Sequence, residues 1–180
     1  MIISLGEIFD FILMSLIVGY IFSGFFSRKN AAFDLKSILF AASVTAPAII
    51  LHELSHKFAA MSFGLTATFH AAYFWLMIGL VLKAISPGFI FFVPAYVSVQ
   101  GMSTPLTQTL VSVAGPLTNL ALFFIAWAAL ALNIFKKPAT VLFAKLTKRI
   151  NGFLFVLNML PIPGFDGFHF LNGAFSLFWN

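Results

Sequence analysis

The sequence predicts a mainly α, polytopic membrane helix bundle with a small β-sheet or hairpin inserted between two of its long helices. Three observations predict it. Of the 180 residues, 61% are hydrophobic and only 8% are charged. Mean hydropathy is +1.04, whereas a soluble domain of this size needs a far larger polar surface. The polar residues fall mostly between apolar runs, several of which reach the roughly 20 residues needed to cross a bilayer. The length suits one integral-membrane domain over 1–180, multi-pass and expected in the cell membrane.

The net charge of +5 does not point to nucleic acid, because the basic residues lie mostly at the ends of apolar runs, as anchors of membrane helices do. Cysteine is absent, so disulfides and thiolate metal sites are excluded and any metal must use His, Asp or Glu.

The first apolar run, about 3–26, begins at once, carries Glu7 and Asp10 and lacks a basic leader. It reads as a retained membrane helix rather than a cleavable signal, with the two acids marking the interface at its start. Ser27-Arg28-Lys29-Asn30 is a polar break. A second helix runs over about 37–63, with Gly64 as its C-terminal stop. Residues 65–73 alternate loosely and read as a strand. The run 74–85 is too short to span and fits a re-entrant or interfacial helix, followed by a break at Ser86-Pro87-Gly88. Residues 89–100 are rich in β-branched and aromatic types and carry Pro94; they read as a short strand pair that protein must shield from lipid. Another helix covers about 106–135 and ends at Lys136-Lys137-Pro138. A basic stretch with Lys145, Lys148 and Arg149 follows, then a short apolar helix over about 150–160. Pro161 and Pro163 break it, and a final apolar run covers 168–179. If 74–93 does not span, the basic segments 27–36 and 136–149 share one side, which the positive-inside rule makes cytosolic.

The strongest chemical signal is His52-Glu53-Leu54-Ser55-His56. Residues four apart on a helix share a face, so the two imidazoles can grip one ion. Glu53, one step round, can take a proton from water that the metal acidifies. Two imidazoles and a carboxylate suit zinc with one position left open. A pattern with three fixed positions often arises by chance. Here the chain has only four His and five Asp plus Glu, and three of those nine fall within one five-residue stretch in the middle of an apolar run. Ionisable groups at membrane depth cost about 2.5–3.5 kcal/mol each, which a merely structural role would not require.

The third ligand is expected from Asp166, in Asn158-Met159-Leu160-Pro161-Ile162-Pro163-Gly164-Phe165-Asp166-Gly167. The prolines make this backbone irregular, and irregular backbone at membrane depth lines a cavity or is buried in protein. The bland alternative is that Asp166 caps the next helix. Asn119 follows Ala114-Gly115-Pro116-Leu117-Thr118. It should face the bundle interior, either to bind substrate backbone or an oxyanion or, more simply, to hydrogen-bond between helices. His169, three residues after Asp166, suits a group behind a ligand, and His70 suits a packed ring; for both, packing is the default.

The segments H-E-L-S-H at 52–56, A-G-P-L-T-N at 114–119 and N-M-L-P-I-P-G-F-D-G at 158–167 together resemble the site-2 protease family of intramembrane zinc metalloproteases. They occur in that family's order and cover a core of about 40–170. Phe165 stands where the family usually has Leu. The resemblance implies one zinc held by His52, His56 and Asp166, Glu53 as catalytic base, and Asn119 and Asn158 as groups that orient substrate or stabilise the transition state. It also implies a small sheet, within 65–100, that presents substrate as an extended strand. The implied substrates are membrane proteins with a transmembrane segment, cut within or beside it; the lipid bilayer is the other partner. The rivals are a metal-ion transporter, whose polar residues would line a pore on several helices, and an inactive homologue that only holds unwound helices.

Overall fold

The computed structural model describes residues 2–25, 34–85, 93–102 and 104–179. The elements are α1 (Leu5–Ser23), α2 (Leu35–Ser62), β1 (Thr66–Ala71), α3 (Tyr73–Ile85), β2 (Ala95–Gln100), α4 (Pro105–Ala131), α5 (Pro138–Asn158) and α6 (Asp166–Trp179). Among the described residues the fold is mainly α, with one two-stranded sheet lying in sequence between the two helices that carry H-E-L-S-H and A-G-P-L-T-N. Of these helices, α1, α2 and α4 are long and apolar enough to cross a bilayer, which makes this a membrane protein. The predicted breaks at 27–30 and 86–88 and the strand residues 89–92 lie outside the described residues. The chain divides into two compact units, Met1–Ile50 with Phe69–Tyr96, and Leu51–Thr68 with Val97–Asn180.

In the first unit, α1 starts where a capping box satisfies its orphan donors. Ser4 Oγ accepts from the Glu7 amide at 3.2 Å and Glu7 Oε2 accepts from the Ser4 amide at 2.7 Å. Its exposed apolar residues Leu5, Phe9, Ile12 and Leu16 recur at helical spacing, while Met14, Val18 and Ile21 on the other side are buried. A stripe of that kind is ordinary where the surrounding solvent is lipid.

The acids of α1 do more than mark an interface. Glu7 is buried and its Oε1 accepts from the Phe69 amide at 2.8 Å. Asp10 accepts from the Ala71 amide at 3.0 Å and from the Tyr73 hydroxyl. Alternate amides of β1 are thus satisfied by carboxylates instead of a third strand. The opposite edge of β1 pairs antiparallel with β2, as the Ala72 amide donating to the Pro94 carbonyl at 3.0 Å indicates. Lys83, the one charge in α3, donates to the Tyr20 carbonyl and to Ser23 Oγ and lies over the Tyr20 ring. It closes the C-terminal carbonyls of α1 that no further helical amide can reach. Helix α3 has 13 residues, in keeping with an element too short to span. Asp34 sets the start of α2 at Leu35, two residues earlier than expected. Its Oδ1 accepts from the Lys36 amide at 3.2 Å and its Oδ2 from Ser37 Oγ at 2.5 Å.

In the second unit, α2 ends at Gly64 as the sequence implies. Gly64 has φ +77°, and the Leu65 and Gly64 amides return to the carbonyls of Ala60 and Met61, closing the helix as a Schellman turn. Helix α4 starts at Thr104, whose Oγ1 accepts from the Thr107 amide at 3.2 Å, with Pro105 in the first turn. It stops four residues before the expected end because Asn133 turns left-handed (φ 51°) and the Ile134 amide returns to Ala129.

Helix α5 corrects the sequence reading most. Residues 138–149 were expected as a basic stretch ahead of a helix at 150, yet α5 begins at Pro138 and runs for 21 residues. Proline suits a first helical turn, where its missing N–H is an orphan anyway. Lys145 and Arg149 lie on the exposed side, opposite the buried Ala144 and Asn151. Three cations hide the helix from a hydropathy window without disfavouring its backbone. Helices α5 and α6 both pack on α4.

Candidate metal centre

The centre is assembled in the second unit by three helices. Helix α2 supplies His52 and His56 one turn apart. Helix α6 supplies Asp166 as its first residue. Helix α4 passes beside the rings with Gly115 and Asn119.

His52 Nε2 stands 3.1 Å from His56 Nε2. The Asp166 carboxylate spans both rings, with Oδ2 at 3.1 Å from His52 Nε2 and Oδ1 at 3.3 Å from His56 Nε2. All three residues are shielded, the imidazoles almost completely.

The far nitrogen of each ring is spoken for. His56 Nδ1 lies 2.7 Å from the Val111 carbonyl oxygen and His52 Nδ1 lies 2.6 Å from Asn119 Oδ1. Both partners accept, so each ring carries a proton on Nδ1, and in its neutral form it turns an Nε2 lone pair toward the other ring and Asp166. Two neutral imidazoles and a carboxylate facing one another at about 3 Å repel unless a proton or a metal cation sits among them. Ligand atoms about 2.0–2.2 Å from a shared zinc at tetrahedral angles are themselves about 3.3–3.6 Å apart. The observed separations approach that spacing, and the donor set of two imidazoles and one carboxylate fits zinc.

Gly115 completes the fit. A Cβ there would run into His56 Nε2 and come within 2.6 Å of His52 Nε2, so only glycine leaves the ligand atoms free. Ser55 and Thr118 tie α2 to α4 beside the rings with a 2.6 Å hydroxyl contact. Proline and glycine shape the approach to Asp166. Gly167 lies against the Met159 carbonyl, where any Cβ would collide.

The structure therefore brings together His52, His56, Asp166 and Asn119. Asp166 is itself the first residue of α6, not a cap ahead of it, and its carboxylate faces both rings. Glu53 is half-buried on α2, next to His52. Asn158 is the half-buried last residue of α5, eight positions before Asp166. His169 is exposed, with its ring against Phe168, and His70 packs on Tyr96 with ring centroids 5.3 Å apart.

Sequence reasoning overlooked Asn151. It is 1% exposed, accepts from Asn119 Nδ2 at 2.9 Å and donates to the Thr147 carbonyl at 2.8 Å. The signal available was a second amide in an apolar helix, since buried amides need partners.

Two relatives place the chain among known proteins. MJ0611 of Methanocaldococcus jannaschii, provisionally named a zinc metalloprotease, is 33% identical over 167 residues, which are 91% of this chain and 82% of that protein. Rip2 of Mycobacterium tuberculosis, provisionally named likewise, is 36% identical over 135 residues, 67% of this chain and 51% of Rip2. The chain thus matches about half the length of Rip2. No family profile matches it, and no solved structure matches it.

Proposed function

This chain belongs to the site-2 protease family of zinc metalloproteases, and from that membership and the centre described above we propose that it hydrolyses peptide bonds within or beside the membrane-spanning segments of other membrane proteins. The observation that carries the proposal is the convergence of His52, His56 and Asp166 within 3.1–3.3 Å of one another in a chain that has, among the described residues, three helices apolar enough to span.

In this reading His52, His56 and Asp166 hold one zinc per chain. When bound, zinc polarises a carbonyl and lowers the pKa of water. Glu53 takes the proton from the attacking water and delivers it to the leaving amine nitrogen. Asn119 has its amide engaged on both sides, by His52 and by Asn151, and acts through the ring. Asn158, where α5 gives way to irregular backbone, is the amide assigned to the substrate main chain or to the oxygen that gains charge. The chain works as one multi-pass domain of the cell membrane, and its substrates are proteins with a transmembrane segment.

Chelation tests the reading. The purified protein, reconstituted with a membrane-protein substrate, is expected to cleave it, to stop when a zinc chelator strips the metal, and to recover when zinc is restored. Cleavage that continues after the metal has been removed, verified by elemental analysis, would overturn it. A transporter or an inactive homologue would yield no product in any arm.

A membrane helix keeps its carbonyls in internal hydrogen bonds, so the scissile segment has to unwind before attack. Gly, Pro or Asn near the scissile bond should favour cutting, because these residues weaken a helix by up to about 1 kcal/mol (Gly) or 3 kcal/mol (Pro) relative to Ala. Replacing them with leucine across the cleavage region of a model substrate is expected to slow product formation at least tenfold. An unchanged rate would show that unwinding is not required.

A further inference from the structure

We propose that Asn151 is a positioning residue for the metal centre, fixing through Asn119 which nitrogen of His52 faces the ion. The inference rests on the zinc-site reading above and adds a residue that none of the three sequence motifs contains.

The two histidines are held by different kinds of acceptor. His56 Nδ1 meets the main-chain carbonyl of Val111, which can only accept. His52 Nδ1 meets the side chain of Asn119, which has an oxygen and an NH2 of nearly equal size. Turned the other way, Asn119 would present a donor, and His52 would have to move its proton to Nε2, the atom that stands 3.1 Å from Asp166. A neutral ring protonated on Nε2 has no lone pair there for a metal.

Asn151 removes that freedom. Its own NH2 donates to the Thr147 carbonyl at 2.8 Å, a group of fixed polarity, so Asn151 Oδ1 must face Asn119. Asn119 Nδ2 then donates to it at 2.9 Å, leaving Asn119 Oδ1 for His52 at 2.6 Å. The polarity of one helix carbonyl passes through two amides to the ring. Both amides are buried, at 0% and 1% exposure, so water cannot substitute for a lost link, and every reversal would leave two donors or two acceptors facing each other.

The full-length protein in detergent tests this with two substitutions of similar size and opposite consequence. Asn151→Leu removes the acceptor, while Asn151→Asp keeps an oxygen for Asn119 Nδ2. Zinc affinity, measured by competition with a chromophoric chelator, is expected to fall about 10- to 100-fold in Asn151→Leu, the range for groups behind a ligand, and to stay within a few fold of wild type in Asn151→Asp. A purely packing role predicts the reverse, since leucine suits an apolar interface and a buried carboxylate does not. Affinity lost in both variants, or in neither, overturns the proposal.

The second measurement needs no metal. With only four histidines in the chain, 15N labelling of the imidazoles reads the His52 tautomer in the metal-free protein. Wild type should hold the proton on Nδ1 and Asn151→Leu should show a mixture; a single Nδ1–H form in both refutes the relay. Should Asn151→Leu lose its metal-free fold, as judged by thermal unfolding, Asn151→Ala carries the same expectations. A wild-type chain that binds no zinc would refute the metal-centre reading itself, and the tautomer measurement would still decide the relay.

Discussion

Glu53→Gln is expected to retain zinc at wild-type stoichiometry and to lose peptide hydrolysis by a factor of about 10² to 10⁴, the usual contribution of a positioned general base. At 1.36 kcal/mol per decade that corresponds to about 3–5 kcal/mol of transition-state stabilisation. The exchange alters one atom and keeps the length and rotamers of the side chain. Glutamine cannot take up the water proton or carry it to the leaving amine. The three groups proposed to hold the ion are untouched, because His52 and His56 are held from behind by Asn119 and Val111 and Asp166 comes from another helix. Metal content by elemental analysis and cleavage of a reconstituted substrate should therefore separate. Full activity in the variant would remove Glu53 from the mechanism, and zinc loss alongside activity would give it a structural part instead. A variant that binds substrate without cutting it also gives a means to capture natural substrates.

How far the sequence reaches can be judged from particular residues. The long apolar helices are legible because a bilayer demands long apolar runs, and α1, α2 and α4 all appear near their expected bounds. The sheet is legible from the loose alternation over 65–73 and the β-branched and aromatic content of 89–100, within which the strands 66–71 and 95–100 fall. Helix α5 is not, because hydropathy reports cost in lipid rather than backbone preference, and Lys145, Lys148 and Arg149 outweigh a sound helix start at Pro138. The pairing of His52 with His56 follows from helical periodicity alone. Asp166 stands out in the sequence as the one carboxylate of the C-terminal half, with helix capping as the alternative, and its place beside both rings is seen only in the fold. What local sequence cannot convey is which polar groups lie behind the two imidazoles. Asn119 and Asn151 are 32 residues apart and meet only because α4 and α5 pack together. The employment of Glu7 and Asp10 on β1 is equally non-local, at separations of about 60 residues.

The second large effect concerns a residue with no chemistry of its own. Gly115→Ala is expected to weaken zinc binding at least 100-fold and to abolish hydrolysis with it. An alanine Cβ would lie 2.6 Å from His52 Nε2 and 2.8 Å from its Cδ2, and closer still to His56 Nε2, distances that non-bonded carbon atoms do not tolerate. The rings have little room to yield, because each is anchored through Nδ1 by a hydrogen bond of 2.6–2.7 Å. Backbone retreat is resisted too, since Ser55 and Thr118 clasp α2 to α4 one turn away. Alanine is the better helix former by about 1 kcal/mol, so α4 itself has no reason to unravel. The damage should therefore concentrate at the ligand atoms. Chelator competition reads the lost affinity and circular dichroism the retained helix. The same exchange at Gly24, where a Cβ meets nothing within 4 Å, should change neither and controls for the loss of a glycine as such. Wild-type zinc affinity in Gly115→Ala would mean that α4 does not approach the two imidazoles as closely as the structure places it, and the metal centre would have to be rebuilt around a different geometry.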